Sequence, residues 1–270
     1  MYRGKILLFI PMYNCEGQIT RVLDQLDDEV QSYISEVLIV NNRSTDNGEM
    51  TVSSYLKNNT KKIPITLLRN KENYGLGGSH KVAINHALNN EFDYLIVLHG
   101  DDQGRIQDLI PYIISGEYQK YDSFLGARFK KGASLQGYST FRTFGNRVYN
   151  LLFSIVAAKK IEDLGSGLNC YKVSSLIDQF YHRFPDNLTF NYCMILGSVY
   201  KRQRIKFFPI TWREDDQVSN VKMVNQAFKV LILLFRYFVD KKRFLEQEHR
   251  EKNIKSYEAE LILKKEPQIL

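Results

Sequence analysis

No two cysteines in this chain stand close enough to share a metal or close a small loop. Cys15, Cys170 and Cys193 are odd in number and far apart, with no CxxC pair. That argues against a zinc site or a disulfide framework and fits a reducing compartment. Long apolar runs are missing as well. After the early basic pair Arg3 and Lys5, the run Ile6–Ile10 stops at Pro11. It is too short for the core of a signal peptide and reads as a first strand. Nothing approaches the ~20 apolar residues that a bilayer-spanning helix needs, so a protein that is soluble or sits on a membrane surface is expected. The strand is followed by PMYNCEG, not by a GxGxxG turn, which disfavours a dinucleotide-binding dehydrogenase. No RNP, zinc-finger or helix-turn-helix signature appears, which speaks against a nucleic-acid partner.

What is present describes a globular chain. Hydrophobic residues make up 44% and aromatics 13% of 270 residues, enough for one large α/β domain or a domain with an appendage. A net charge of +7 and a pI near 9.1 suggest an anionic partner: phosphate-bearing substrates, membrane lipid or nucleic acid.

The first half alternates strand-like and helix-like segments. Strands are predicted at KILLFIP, Glu36–Asn42, Ile65–Asn70 and the DYLIVL run, with helices at Glu16–Leu26, around Thr51–Lys57, and from the Gly-rich turn Tyr74–Gly78 to about Leu88. This order implies an α/β fold with a doubly wound, mainly parallel sheet. The pattern then loosens. A helix near Gln107–Ile114 and a strand at Ser123–Phe129 precede a basic stretch without clean period, Lys130–Asn146, and a helical segment, Val148–Ala158. One domain over 1–217 is the simplest account, followed by a basic amphipathic helical extension over 218–270.

That extension places Val221, Val224, Phe228, Leu231 and Phe235 on one helical face. Lys222, Lys229, Arg236 and Arg243 form a basic stripe beside it. Such a helix reads as a contact with an anionic membrane surface, and otherwise as a helix packed on its own domain. The tail from Glu246 is highly charged and is expected to be mobile.

The densest chemistry lies in Asp93–Gln103, where an apolar strand runs into Gly100, two carboxylates and an amide. Acidic residues at a strand end lie on the rim where α/β proteins bind ligands, and oxygen donors there suit Mg²⁺ or Mn²⁺ bridging to a diphosphate. Four further segments fall in order around it: Pro11–Gly17, Asn41–Asn47, Asn73–Ser79 and Gly126–Arg128. Together the five resemble family-2 glycosyltransferases of the GT-A fold, inverting enzymes that use nucleotide-sugar donors. Within them, His99–Gln103, Asp163–Lys172 and ITWRED with Arg213 resemble the dolichyl- or polyprenyl-phosphate sugar synthases.

The resemblance implies site roles. Asp101 and Gln103 would hold the metal, with His99 a third ligand, a hydrogen-bonding partner of phosphate or ribose, or a residue behind the ligands with a structural role. Pro11, Tyr13, Glu16, Asn41, Asn42 and Asp46 would line the nucleotide pocket, and Gly75 and Gly77 would let backbone approach the donor. His99 departs from the family's first aspartate, and NNRSTD departs from its DDGSTD.

A sugar hydroxyl acceptor needs a general base. Where many relatives carry one, the chain reads NLTFNYCMILG, without a carboxylate, and no QxxRW occurs. An ionised phosphate acceptor needs cations instead, and Arg128, Arg142, Arg147 and Arg213 are the candidates. Asp101, Asp163, Arg128 and Arg213 thus form the expected catalytic set, with Asp163 either a base or a group that orients an arginine. The expectation is metal-assisted transfer to a polyprenyl phosphate at the inner face of a membrane, from the cytoplasmic side. Two alternatives stay open: transfer to a saccharide hydroxyl in cell-envelope polysaccharide or lipopolysaccharide assembly, and a catalytically weak scaffold subunit.

Overall fold

Period-two alternation in the first strand sets the architecture. In the computed structural model, which describes residues 3–214 and 223–267, β1 (Ile6–Met12) is buried along its whole length. Leu7 and Phe9 enter one apolar cluster, and Ile6, Leu8, Ile10 and Met12 enter another. A strand apolar on both faces belongs mid-sheet, with helices above and below.

The other strands are β2 (Glu36–Asn41), β3 (Ile65–Asn70), β4 (Tyr94–Leu98), β5 (Ser123–Ala127), β6 (Ser134–Gln136), β7 (Leu168–Lys172), β8 (Ile205–Pro209), β9 (Thr211–Arg213) and β10 (Ala259–Lys265). The main sheet runs β10-β3-β2-β1-β4-β7-β5-β8, and β6 and β9 form a separate parallel pair. Only β7 and β10 run against their neighbours. The expected α/β fold with a large, mainly parallel sheet is what the chain adopts.

Nine helices connect these strands within the described residues: α1 (Glu16–Asp24), α2 (Asp28–Gln31), α3 (Gly48–Asn58), α4 (Gly75–Asn89), α5 (Ile110–Ile114), α6 (Thr140–Ala157), α7 (Phe190–Tyr200), α8 (Met223–Val239) and α9 (Lys241–Glu246). Ile19 and Leu23 of α1 and Val52 and Leu56 of α3 cover one face of the sheet. Ala83 of α4, Phe153 of α6, Met194 of α7 and Tyr237 of α8 cover the other.

Three local expectations differ from what forms. The stretch without clean period contains β6 and the first turns of α6, which begins at Thr140, well before Val148. Its apolar residues there, Phe141 and Phe144, point outward, so no buried periodicity marks the start. The outer face of the late helix is also reversed from simple packing. Phe228, Leu231 and Phe235 are exposed, while Val230, Leu233, Leu234 and Tyr237 pack into the core. That helix is apolar nearly all round, so sequence pattern could not say which stripe packs. Val221, Lys222 and the side chain of Val224 lie outside the described residues.

The tail beyond Glu246 is held, not loose. Tyr257 Oη donates to Asp186 at 2.7 Å, and β10 pairs with β3 at the sheet edge. The segment after residue 218 is therefore more than a helical extension: it supplies a strand of the main sheet.

Candidate active site

Because β1, β2 and β4 are parallel neighbours, the loops after them meet at one rim. Each of these loops holds one non-glycine residue at left-handed φ: Asn14 at 50°, Arg43 at 60° and Asp102 at 61°. Such conformations persist only where surrounding bonds over-determine them. Here they do. Asn14 N–H donates to Ser44 Oγ, and Asn14 Oδ1 accepts from Thr45 N at 2.8 Å. Arg43 reaches the Lys71 carbonyl through Nε and Nη2.

The expected nucleotide-pocket residues are largely engaged with one another. Glu16 N–H donates to Asp46 Oδ2 at 2.8 Å, and Glu16 Oε2 accepts from Asn47 N at 3.1 Å. Asn41 Nδ2 donates to Glu49 at 2.7 Å and its Oδ1 accepts from Ser44 N. Asn42 Oδ1 accepts from Asn70 Nδ2 and Tyr74 N, while its Nδ2 donates to Asn73 Oδ1 at 2.8 Å. Both asparagines are buried; Asn41 binds the end of β2 to the first turn of α3, and Asn42 binds it to the turn before α4. Pro11 lies buried at the end of β1, and Tyr13 stands beyond it at 44% exposure. An open cleft of about 420 Å³ between α1 and α3 touches Glu16 and Asn47 but not Asp101.

Gly75 and Gly77 face chain, not an open groove. Gly75 has φ +73°, and a Cβ there would lie 2.4 Å from the Asp186 carbonyl oxygen; the same oxygen accepts from Gly77 N at 2.7 Å. The glycines let α4 start against the 185–187 loop. This loop is fixed from beneath by Lys81, whose fully buried Nζ donates to Asp186 Oδ1 at 2.7 Å. Burial lowers the Lys81 pKa to about 8 against the pull of Asp186.

The acidic loop divides its two carboxylates between different tasks. Asp102 is fully buried and taken up by three side chains: Arg21 Nε at 2.7 Å, Gln25 Nε2 at 2.9 Å, and Arg213 Nη2. Arg213 also donates from Nε to the Asp102 carbonyl at 2.9 Å, and its own N–H donates to the Gln103 carbonyl. Arg21 on α1 and Gln25 just past its end escaped the sequence reading because nothing local links them to a residue about eighty positions away. Asp101 is half-buried, and its Oδ1 accepts from Gln103 N at 3.3 Å. Burial raises its pKa to about 6, against hydrogen bonds that lower it.

His99 turns inward. Its ring lies against Gly167, where a Cβ would come within 2.8 Å of Cγ, and 6.4 Å from the ring of His80. Its Nε2 is enclosed without a partner among the described residues, and burial lowers its pKa to about 4, aided by the Arg128 charge. Among the described residues no three His, Cys, Asp or Glu side chains gather as a metal cage.

Arg128 and Asp163 are brought together. The Arg128 guanidinium grips the carboxylate through Nε and Nη2, both at 2.8 Å, and both residues are buried. The rings of Phe129, Tyr138 and Trp212 surround the guanidinium at 5.1 to 5.8 Å. Burial opposes its charge, but Asp163 outweighs that and raises its pKa. Arg142 also lies over the Tyr138 ring, at 4.8 Å, and pairs with Glu214 at 2.5 Å. Arg147, one turn further along α6, is exposed and makes no ion pair among the described residues.

Comparison with known proteins places these features. Residues 8–180 match the sequence profile described as Glycosyl transferase family 2. Comparison with curated proteins finds no match. Among solved structures, S. aureus TarS 1-349 is similar at TM-score 0.56 and 18% identity, covering 89% of this chain and 69% of that one. Glucosyl-3-phosphoglycerate synthase from Mycobacterium tuberculosis, in complex with uridine diphosphate, is similar at TM-score 0.60 and 12% identity, covering 87% and 80%. Mannosyltransferase PcManGT from Pyrobaculum calidifontis, in complex with GDP-Man and Mn²⁺, is similar at TM-score 0.54 and 16% identity, covering 90% and 65%. At these identities the likeness is one of fold.

Proposed function

Since the chain belongs to glycosyl transferase family 2, we propose that it moves a sugar from a nucleotide-sugar donor at this rim to a phosphate-bearing lipid acceptor, with inversion. The observation that carries the acceptor choice is the Arg128–Asp163 pair. Asp163 is the acidic residue best placed in sequence to act as a base, yet its two oxygens accept from Arg128 Nε and Nη2, from Arg128 N and from Gly165 N. A carboxylate so occupied orients an arginine and does not take a proton from a hydroxyl. A phosphate monoester is ionised at neutral pH and needs no base; its oxygen attacks the anomeric carbon as the bond to the nucleoside diphosphate breaks, and that leaving group carries away the electron pair.

A divalent cation fits the acidic loop in a limited way. Asp101 offers a desolvated carboxylate, Gln103 an amide beside it, and His99 an enclosed nitrogen that does not open to the rim. Mg²⁺ characteristically takes one or two carboxylates and fills its remaining positions with phosphate oxygens and water, so Asp101 with Gln103 suffices. When bound, Mg²⁺ or Mn²⁺ would neutralise the charge gathering on the departing diphosphate. The structure of the mycobacterial synthase with Mn²⁺, UDP-glucose and phosphoglyceric acid supports this combination of ligands on such a fold. Arg213 steadies the loop through Asp102, and Arg142 and Arg147 present cations toward an acceptor phosphate. The enzyme would act at the inner, cytoplasmic face of a membrane, with its basic late helix against anionic lipid.

The test is transfer from a panel of radiolabelled nucleotide-sugars, with Mg²⁺ or Mn²⁺, into undecaprenyl phosphate in detergent and, separately, into saccharides. Label in the lipid supports the proposal. Label only in saccharide overturns the acceptor assignment, and no transfer with any donor would favour a scaffold.

A further inference from the structure

Most of the exposed large apolar side chains among the described residues lie on two helices, α6 and α8, far apart in sequence. Phe141, Phe144, Leu151 and Ile155 are 77%, 68%, 60% and 67% exposed and recur at helical spacing, while Asn150, Phe153 and Ala157 of the same helix face the core. On α8, Phe228, Phe235 and Phe238 are 63% to 65% exposed, opposite the buried Val230, Leu233 and Tyr237. The two helices pack against each other. Apolar side chains on this scale are uncommon on a monomer surface that meets only water.

Charge identifies the occupant. Over Thr140–Ala157 and Met223–Val239 there is no aspartate or glutamate, whereas Arg142, Arg147, Lys229 and Arg236 are present, and Lys241 and Lys242 follow on α9. The acidic partners of the α6 and α8 cations come from elsewhere, Glu214 for Arg142 and Glu251, at 3.7 Å, for Lys229, and on α9 Lys242 has Glu246 at 3.9 Å. A two-fold contact with a second copy would set these cations against their own copies with no acid on either helix to neutralise them. An anionic bilayer accepts both components, the apolar side chains at the acyl boundary and the basic ones among the headgroups. Among the described residues no helix is long and apolar enough to cross a membrane, so the contact is along the surface.

We propose that α6 and α8 form one face that seats in the interfacial layer of an anionic membrane, with α6 inserting beside the late helix. Tyr138 links this face to the candidate site, its ring 4.8 Å from the Arg142 guanidinium and 5.8 Å from that of Arg128. Seating α6 therefore brings the rim holding Arg128 and Asp163 to the level of lipid phosphates. The inference goes beyond the acceptor assignment and does not depend on it, since a seated enzyme serves either acceptor.

The experiment is co-sedimentation of the full chain with phosphatidylcholine vesicles and with mixed phosphatidylcholine–phosphatidylglycerol vesicles. Binding to the mixed vesicles is expected, at least about tenfold weaker for F144E/I155E, which alters only exposed side chains. A blue shift of F144W emission on adding vesicles reports insertion directly. Circular dichroism and a melting temperature matching the wild type confirm that the variants are folded. The proposal is overturned if the wild-type chain stays in the supernatant, if F144E/I155E binds as well as wild type, or if that variant converts a wild-type dimer to monomer with no change in vesicle binding. Vesicle binding without transfer into polyprenyl phosphate in detergent would sink the acceptor assignment alone; transfer in detergent without vesicle binding would sink the docking face alone.

Discussion

Arg128 closes on Asp163 with its backbone amide as well as its guanidinium, three hydrogen bonds of 2.8 Å spanning 35 positions of chain. The pair links the end of β5 to the turn before β7, beneath Tyr138 and Trp212.

Removing one member of a buried ion pair leaves the other charge unmatched. Asp163→Ala is expected to lose about 3–5 kcal/mol of stability in urea denaturation, and Asp163→Asn less. A general base would behave differently: loss of turnover in Asp163→Asn with wild-type stability would restore that role.

Asp101 and Asp102 should separate cleanly. Asp101→Asn is expected to abolish transfer. In chelator at pH 7.5 it should be more stable than wild type, because the Asp101 carboxyl has a folded-state pKa of about 6, above its ordinary 3.8. The folded chain holds that proton more tightly, so wild-type stability falls as pH rises from about 4 to about 6, and the full penalty is present above. The stability gap should thus close below about pH 4. Asp102→Ala, by contrast, should be destabilised at pH 7.5, since Arg21 and Arg213 lose their partner.

Proton and cation compete for Asp101. Affinity for Mn²⁺ in the presence of donor should decline as pH drops below about 6, approaching tenfold per unit. Isothermal titration across pH checks this, and a flat profile from pH 7 to 5 would remove Asp101 from the cation site.

Arg213 reaches Asp102 and the Gln103 carbonyl, so its loss loosens the loop that carries Asp101. Arg213→Ala should weaken donor binding together with acceptor use, by roughly tenfold or more given the charge-assisted bonds removed. Donor affinity unchanged, with only acceptor KM raised, would assign it to the acceptor instead.

Gly75→Ala places a Cβ against the Asp186 carbonyl at a positive φ. A cost of about 2–4 kcal/mol is expected from overpacking and left-handed strain combined. Near-neutral stability in denaturant would show that the 185–187 loop yields.

The central strands were legible because they are buried on both faces: a run such as Ile6–Ile10 has few other uses in a globular chain. The order of motifs along them then sufficed to indicate the family. The antiparallel β7 was not legible, since LNCYK carries little periodicity and its neighbours β4 and β5 are chosen by tertiary packing. Residue types at the rim were readable, but not their partners. Nothing local distinguishes Asp102, buried under Arg21, Gln25 and Arg213, from Asp101 beside it, or shows that His99 turns inward to His80. Arg128 and Asp163 each stood out alone, yet their pairing depends on a turn between distant segments. The outward face of α6 was hidden for a different reason. Exposed phenylalanines carry the same pattern as buried ones, and only the fold says which side meets solvent.

The strand bonded to the outer edge of β3 is β10, and the ion pair Arg69–Glu260 across that seam spans 191 positions of sequence. A chain growing on the ribosome therefore exposes the unpaired edge of β3 from the time that strand emerges until β10 follows it. Until residues 259–265 emerge, that edge is open to any extended strand that meets it. Nascent chains stalled or cleaved before Ala259 would accordingly be the species that chaperones must hold, and β10 acts as the seal on that edge.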